Sequence, residues 1–416
     1  MKEGKTLEFK AKISNTFLKT VSAFSNFGDG TILFGVDDEG NVVGIEDIKK
    51  ACLDIKNQIN DNIRPKPDFA INIVKGNVIE LKVFEGKSKP YFYRAKAYRR
   101  SDTASIEIDG LELRHLVLEG SNLFYDQLAS KERELSFTCL EEKLKKTINI
   151  TALDNDILRS LGFYTKDMQY NNAAALFADK NQFWGVDVVR FGDTINEILD
   201  RETIYNNSLL EQYDRALELY RKYYQSEVIE ASVREKHELV PEAAFREALA
   251  NALVHRDFGV NAHVRIAMFK DKIEISSPGG LPSGVKKEEY IKGTISVLKN
   301  PIIGNLFFRL GLIEALGTGI RRINEAYRDH DIKPIYTILD RSITIELPTT
   351  TARYEITRDE SKIITALEGG LCLSSSELAD QIGYSKSKVL RLINGLIDKR
   401  YVSVLGGGRS TRYKVR

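Results

Sequence analysis

The sequence predicts an α+β multidomain protein, and three observations carry that prediction. Its 416 residues exceed what one compact core of ordinary size holds. Two stretches, one at the N-terminus and one from about residue 236, alternate helical periodicity with short apolar runs closed by glycine turns. After a short polar linker, Thr349–Ala352, a last stretch carries three amphipathic helices and a glycine-rich hairpin. The boundaries read in this way are 1–115, 116–235, 236–348 and 355–416.

In the first segment a helix is expected over Thr16–Asn26, ending at Gly28-Asp29-Gly30, which can supply the positive φ of a tight turn. The apolar run Thr31–Val36, the turn Asp37-Asp38-Glu39-Gly40 and Asn41–Gly44 read together as a β-hairpin. A second helix spans about Ile48–Ile63 and stops before Pro65, with strands at Phe69–Val74, Val78–Val83 and Ala97–Arg100. Residues 116–235 read as a connecting region in which Asn171–Ala178 starts a buried helix and Tyr205–Tyr224 packs at helical spacing. From 236 onward a helix Glu242–His255, strands His263–Phe269 and Lys272–Ser276, a loop Ser296–Gly304 and a helix Ile320–Asp329 follow. The last segment has helices around Ile363–Leu367, over Ser376–Ile382 and over Lys386–Arg400, then strands Tyr401–Leu405 and Thr411–Val415.

Hydrophobic residues make up 42% and charged residues 29%, which excludes a disordered or fibrous chain. No stretch approaches the roughly 20 apolar residues of a spanning helix, and the N-terminus lacks a signal-peptide core. The expectation is therefore no membrane partner. Cys52, Cys139 and Cys372 have neither metal-ligand spacing nor an even count, which points to a reducing cytoplasm. The net charge of +2 leaves nucleic-acid affinity to local patches. Such a patch lies at the C-terminus, where residues 355–416 hold eleven Lys/Arg against seven Asp/Glu.

In that segment Lys386, Lys388 and Arg391 lie near the start of the third helix, where a recognition helix meets a major groove. Arg409, Arg412, Lys414 and Arg416 on the hairpin suit phosphates. The segment resembles the winged helix-turn-helix of bacterial regulators, and DNA binding is favoured over a purely protein-binding role. Dimerisation is expected with it, since paired recognition helices match two-fold operators.

In the helix Arg246–Asp257, Glu247 and Asn251 lie one turn apart on one face. A carboxylate beside an amide oxygen suits a hydrated Mg²⁺ that also touches phosphates, and Glu247 can polarise an attacking water. Ser277-Pro278-Gly279-Gly280 closes a strand, and Gly317-Thr318-Gly319 opens a helix whose N–H groups can face an anion. In this order the residues resemble the GHKL ATPases, with their Bergerat α/β sandwich, and most closely the ATP-binding C-terminal domain of RecG-like transcriptional regulators. The resemblance implies ATP with Mg²⁺. It makes Glu247 the catalytic carboxylate and Asn251 a metal ligand. Ser277, Gly279 and Gly280 fall on the base side, and Gly317, Thr318 and Gly319 on the phosphates. Arg256, Lys299 and Asn300 are candidates for phosphate or structural contacts. The aspartate that reads adenine in that family is replaced by Ser276-Ser277-Pro278. There is no P-loop.

At the N-terminus, Glu3-Gly4-Lys5-Thr6-Leu7-Glu8-Phe9-Lys10 with Ala23–Asp38 resembles the Schlafen Alba-type domain. Two readings follow. In one, Lys10, Lys12, Arg94, Arg99 and Arg100 contact phosphates of DNA or RNA while Tyr91 and Tyr93 stack on bases. In the other, Glu3, Glu8 and Asp37 or Asp38 gather a divalent metal for nuclease chemistry, as in Schlafen-type ribonucleases, with a role in phage defence. The Asp37–Gly40 stretch also serves as a plain hairpin turn. Binding is favoured over cleavage. The function expected from the whole is an ATP-binding, DNA-binding transcriptional regulator in which nucleotide occupancy biases DNA affinity.

Overall fold

The computed structural model describes residues 2–230, 233–282, 284–293, 297–313, 318–330, 332–350, 357–367, 371–399, 401–406 and 411–415. The chain forms two compact units, Met1–Thr350 and Thr351–Arg416. It is a mixed α+β multidomain protein.

The first unit begins with β1 (Leu7–Lys10), α1 (Phe17–Phe27) and β2 (Gly30–Phe34). Next come α2 (Ile48–Asn62), β3 (Ile63–Arg64), β4 (Phe69–Val74) and β5 (Val78–Val83). The sheet order is β1-β2-β5-β4, with β1 and β2 parallel. The alternation of Ile32 and Phe34 on β2 buries one face against Phe17, Val21 and Phe24 of α1 and Ile55 and Ile59 of α2. Gly30 is required there by proximity: a Cβ would lie 2.4 Å from the Phe24 ring. Gly28, at φ 134°, makes the turn that ends α1.

The expected hairpin Thr31–Gly44 is corrected. Asn41–Gly44 meets the end of the preceding run through an isolated bridge, Val36↔Val42, and bonds from Val43 N and Gly44 N to the Gly35 carbonyl, while β2 takes β1 and β5 as its ladder partners. The Asp37 side chain closes the turn, accepting from Asn41 N at 2.7 Å.

Short ladders β6 (Phe92–Tyr93), β7 (Tyr98–Ser101) and β8 (Ala104–Glu107) follow, then α3 (Gly110–Gly120). Asp109 caps α3, accepting from Leu111 N and Glu112 N at 2.9 Å each, and Glu112 returns the bond to Asp109 N at 3.0 Å.

The region read as a connector does more than connect. After α4 (Thr138–Ile148), α5 (Asn155–Ser160) and the buried α6 (Asn172–Phe177), it supplies β9 (Val186–Phe191) and β10 (Ile198–Ile204). Then come α7 (Leu209–Tyr224) and a hairpin of β11 (Gln225–Glu230) and β12 (Val233–Glu238). Beyond them lie α8 (Glu242–Val254), β13 (Val264–Met268), β14 (Lys272–Pro278), α9 (Lys287–Lys292), α10 (Pro301–Arg309) and α11 (Gly319–Ala326). Strands β15 (Ile335–Leu339) and β16 (Ser342–Pro348) close the unit.

The resulting six-stranded sheet has the order β10-β9-β13-β14-β16-β15, with β9 parallel to β13 and the other pairs antiparallel. One core joins Val186 and Val188 of β9, Phe245 and Leu249 of α8, and Ile266 of β13 with Phe163, Phe177 and Tyr213. The alternation of β9 buries Val186 and Val188 on one face against this core, while its backbone pairs with β13.

The expected loop Ser296–Gly304 is also corrected in part. Residues from Pro301 form α10, with Pro301 in its first turn and Ile303, Leu306 and Phe307 buried at helical spacing.

The second unit holds α12 (Arg358–Leu367), α13 (Ser375–Ile382), α14 (Lys386–Asp398) and a hairpin of β17 (Val402–Leu405) and β18 (Arg412–Val415). Ser374 and Ser385 cap α13 and α14. Ile363, Leu367, Leu378, Val389, Ile393, Leu396, Val402 and Tyr413 form its core. An isolated bridge, Leu373↔Tyr413, ties β18 to the segment before α13.

Candidate functional site

The central cleft is built by α8, the turn after β14 and the start of α11. Glu247 and Asn251 face one another on α8, Asn251 Nδ2 standing 3.4 Å from Glu247 Oε1. Glu247 is buried and Asn251 half-buried. Gly319, the first residue of α11, lies directly against them. A Cβ there would meet Glu247 Oε1 at 2.5 Å and Asn251 Nδ2 at 2.6 Å. The structure thus brings together residues that the sequence separates by some seventy positions. Thr318 precedes α11 without capping it by its side chain, and its carbonyl accepts from Arg322 N at 2.9 Å. Gly317 lies outside the described residues.

The other glycine turn is held from two sides. Gly279, at φ 102°, donates its N–H to the Arg341 carbonyl at 2.8 Å, and the Pro278 carbonyl accepts from Asp257 N at 2.9 Å. Lys299 Nζ donates to the Gly280 carbonyl. Burial pushes the Lys299 ammonium below the usual lysine range, with the Asp257 charge acting against it. The buried hydroxyl of Ser277 donates to the Ala252 carbonyl at 2.7 Å, fixing β14 to α8.

Two of the neighbours read as candidates for phosphate or structural contacts, Asn300 and Arg256, make structural ones. Asn300, 1% exposed, donates to the carbonyls of Val254 and Arg256 at 2.8 and 2.9 Å. Arg256, 2% exposed, donates to the Ala262 carbonyl at 2.6 Å and to those of Trp184 and Gly185. Burial lowers its guanidinium to about 10. The backbone of His255 ends α8 by donating to Asn251 O at 3.0 Å. Burial and the Lys299 charge lower the His255 imidazole to about 4, so it is neutral at physiological pH.

The acidic residues at the N-terminus are engaged separately. Glu8, on β1 and buried, receives Lys10 Nζ at 2.5 Å, Thr20 Oγ1 at 2.5 Å and Arg100 Nη1 at 2.7 Å. Glu3 Oε1 accepts from Phe9 N at 2.7 Å. Asp37 is spent on its own turn, where the N–H and amide of Asn41 hold its carboxyl below the usual range. Asp38 is exposed. Among the described residues no three His, Cys, Asp or Glu side chains gather into a metal-binding group.

Arg100 is likewise a bolt, with both Glu8 and the Gly4 carbonyl as partners and only 6% of its side chain exposed. Arg99 is partly exposed and paired with Glu112 at 2.8 Å. The rings of Tyr91 and Tyr93 are buried, which withdraws them from base stacking. Lys12 and Arg94 are exposed.

In the second unit Lys386, Arg391, Arg412 and Lys414 are exposed. Lys388 pairs with Asp359 at 2.7 Å and lies 3.8 Å from the Tyr384 ring centroid, and Arg412 reaches Glu377 at 3.3 Å. Arg409 and Arg416 lie outside the described residues.

A buried carboxylate that sequence reading missed stands at the start of α10. Asp126 Oδ2 accepts from Ile302 N at 2.7 Å and Ile303 N at 3.2 Å, capping α10, and Oδ1 has no hydrogen-bond partner. Burial raises its carboxyl to about 6 against those two bonds. No local signal marks it, because its partners are 176 and 177 positions away.

With this geometry in place, comparison with known families is informative. Residues 3–109 match the family Schlafen, AlbA_2. Residues 261–346 match the family described as "Putative ATP-dependent DNA helicase recG C-terminal". The Schlafen-type and RecG-like resemblances read from the residues are borne out over these two stretches. The RecG C-terminal match begins after α8, so Glu247 and Asn251 lie outside it. No curated protein matches this chain. Among solved structures, the DIP2311 protein from Corynebacterium diphtheriae is 16% identical, with 99% of this chain and 95% of that chain covered and a TM-score of 0.47. Among the described residues no helix is long and apolar enough to cross a membrane.

Proposed function

We propose that this chain is an ATP-binding, DNA-binding transcriptional regulator whose nucleotide cleft is the junction of α8 with the start of α11. The observation that carries the reading is the apposition of Gly319 to Glu247 and Asn251. Only glycine lets the start of α11 lie this close to the two oxygen-bearing groups, since a Cβ would stand 2.5 Å from Glu247 Oε1. The start of a helix of eight residues set against an acid–amide pair supplies the donor types that a magnesium–triphosphate takes. Asn251 and Glu247 would hold the metal, which when bound neutralises phosphate charge. Thr318 and Gly319 would present the start of α11 to the phosphates, and Gly279 and Gly280 would line the base side in a GHKL-like Bergerat sandwich. Ser277 spends its hydroxyl proton on the Ala252 carbonyl and so keeps only acceptor capacity toward an adenine amino group.

The three helices and hairpin of the second unit form a winged helix-turn-helix in this reading. Lys386 and Arg391 at the head of α14 and Lys414 on the hairpin make the phosphate contacts. The AlbA_2 segment binds nucleic acid through exposed Lys12 and Arg94 and the partly exposed Arg99. The engagement of Glu8 by two cations and a hydroxyl favours binding over metal-dependent cleavage. Calorimetric titration of ATP with and without Mg²⁺ tests the cleft. Asn251→Ala is expected to lose at least tenfold in Mg²⁺-dependent affinity, and an unchanged isotherm overturns the assignment.

A further inference from the structure

We infer that α3 is a transmission element joining the Gly279 turn to the nucleic-acid face of the AlbA_2 segment, so that nucleotide at the first and nucleic acid at the second are energetically linked. The inference rests on the nucleotide reading of the cleft given above.

Two struts run from the turn to α3. In the first, Gly279 donates its N–H to the Arg341 carbonyl at 2.8 Å, and the guanidinium of the same Arg341 binds Asp109 Oδ2, the cap of α3. From the cap the path continues through one hydrogen bond and one ion pair. Asp109 N donates to Glu112 Oε2 at 3.0 Å, and Glu112 Oε1 holds Arg99 Nε at 2.8 Å. Arg99 lies on β7, one of the candidate phosphate contacts. In the second strut, Asp257 N donates to the Pro278 carbonyl at 2.9 Å, while its Oδ2 lies 2.8 Å from His115 Nε2 in the middle of α3. Gly259 brings the two surfaces into contact, since a Cβ there would meet Leu111 Cδ1 at 3.3 Å.

Each strut is a single residue that grips the turn by its backbone and α3 by its side chain. Displacement of the turn by a bound base therefore moves both anchors of α3 at once, and α3 carries the change to Arg99. Linkage makes the effect reciprocal: nucleic acid that draws Arg99 away from Glu112 alters nucleotide affinity by the same factor. His115 and Arg341 have side chains 48% and 64% exposed, so they can be replaced without opening the core.

Hydrogen exchange of the full chain with and without saturating ATP and Mg²⁺, paired with calorimetry, tests this. In the wild type, exchange over Gly110–Gly120 should slow about fivefold, near the low end of typical coupling factors. In the double variant His115→Ala, Arg341→Ala the change should fall below twofold while ATP affinity stays within threefold of wild type. Glu112→Gln should keep the response in α3 and lose it over Tyr98–Ser101. A double variant that binds ATP and responds as wild type overturns the inference but leaves the cleft intact. So does a wild type that binds ATP with no response in α3. Absence of any ATP binding removes the cleft assignment, and the inference with it.

Discussion

Replacing Gly319 by alanine tests the cleft without removing either proposed metal ligand. The added methyl would stand 2.5 Å from Glu247 Oε1 and 2.6 Å from Asn251 Nδ2, where ordinary contact begins at 3.4 Å. The two side-chain ends must therefore retreat by roughly 0.9 Å, whereas metal–ligand distances tolerate about 0.2 Å. Gly319 is not a positive-φ residue, so the backbone accepts alanine. Alanine gains about 1 kcal/mol over glycine within a helix, against roughly 1–3 kcal/mol for crowding. Stability should thus change by no more than about 2 kcal/mol, because the atoms that must move are ends of flexible side chains. Nucleotide affinity should fall far more, by at least tenfold in the presence of Mg²⁺. The assay is calorimetric titration of ATP alongside urea denaturation. A variant that stays folded and binds ATP like the wild type refutes the reasoning.

Three further outcomes are expected. Asp126→Asn keeps an oxygen acceptor for the Ile302 and Ile303 amides and removes a buried charge. The native carboxyl is raised from 3.8 to about 6, so its contribution is full below pH 3.8 and is lost as pH rises through 6. The variant should therefore gain up to about 3 kcal/mol at pH 8 and little at pH 4, and urea denaturation giving equal gains at both would contradict this. Glu8→Ala strands the buried Arg100 and should cost about 3–5 kcal/mol; a variant denaturing at the wild-type urea concentration would count against the structural role. For the second unit, Lys386→Ala and Arg391→Ala should each lower the slope of log affinity for DNA against log salt by about 1. Lys388→Ala should lower it less, since Asp359 already holds that lysine, and equal slopes for all three would argue otherwise.

What the sequence made legible was local. Glu247 and Asn251 announce themselves because helical spacing alone puts them on one face, and α8 matches the expected Glu242–His255 to within one residue. The strands Phe69–Val74 and Val78–Val83 were readable from alternation and a short turn. Distant pairings were hidden. The run Thr31–Val36 looked like half of a hairpin, because nothing nearby says that its partners are Leu7–Lys10 and Val78–Val83. The loop expected over Ser296–Gly304 overlaps the first half of Pro301–Arg309, although Ile303, Leu306 and Phe307 already carried a buried helical stripe. Arg99 and Arg100 read alike as basic residues. Their difference in exposure is set by Glu8, about ninety positions earlier. The bond of Arg341 to Asp109 spans 232 positions and has no local signature at all.

The parallel pairing of β9 with β13 carries a practical consequence for anyone cutting this chain. A fragment starting at residue 236 would bare the backbone edge of Val264–Met268 and discard Val186, Val188, Tyr213 and Phe177 from the shared interior. Such a fragment would aggregate, so the shortest soluble piece able to take up nucleotide must begin ahead of Thr138 and keep Asp126, whose loss would also uncap Pro301–Arg309.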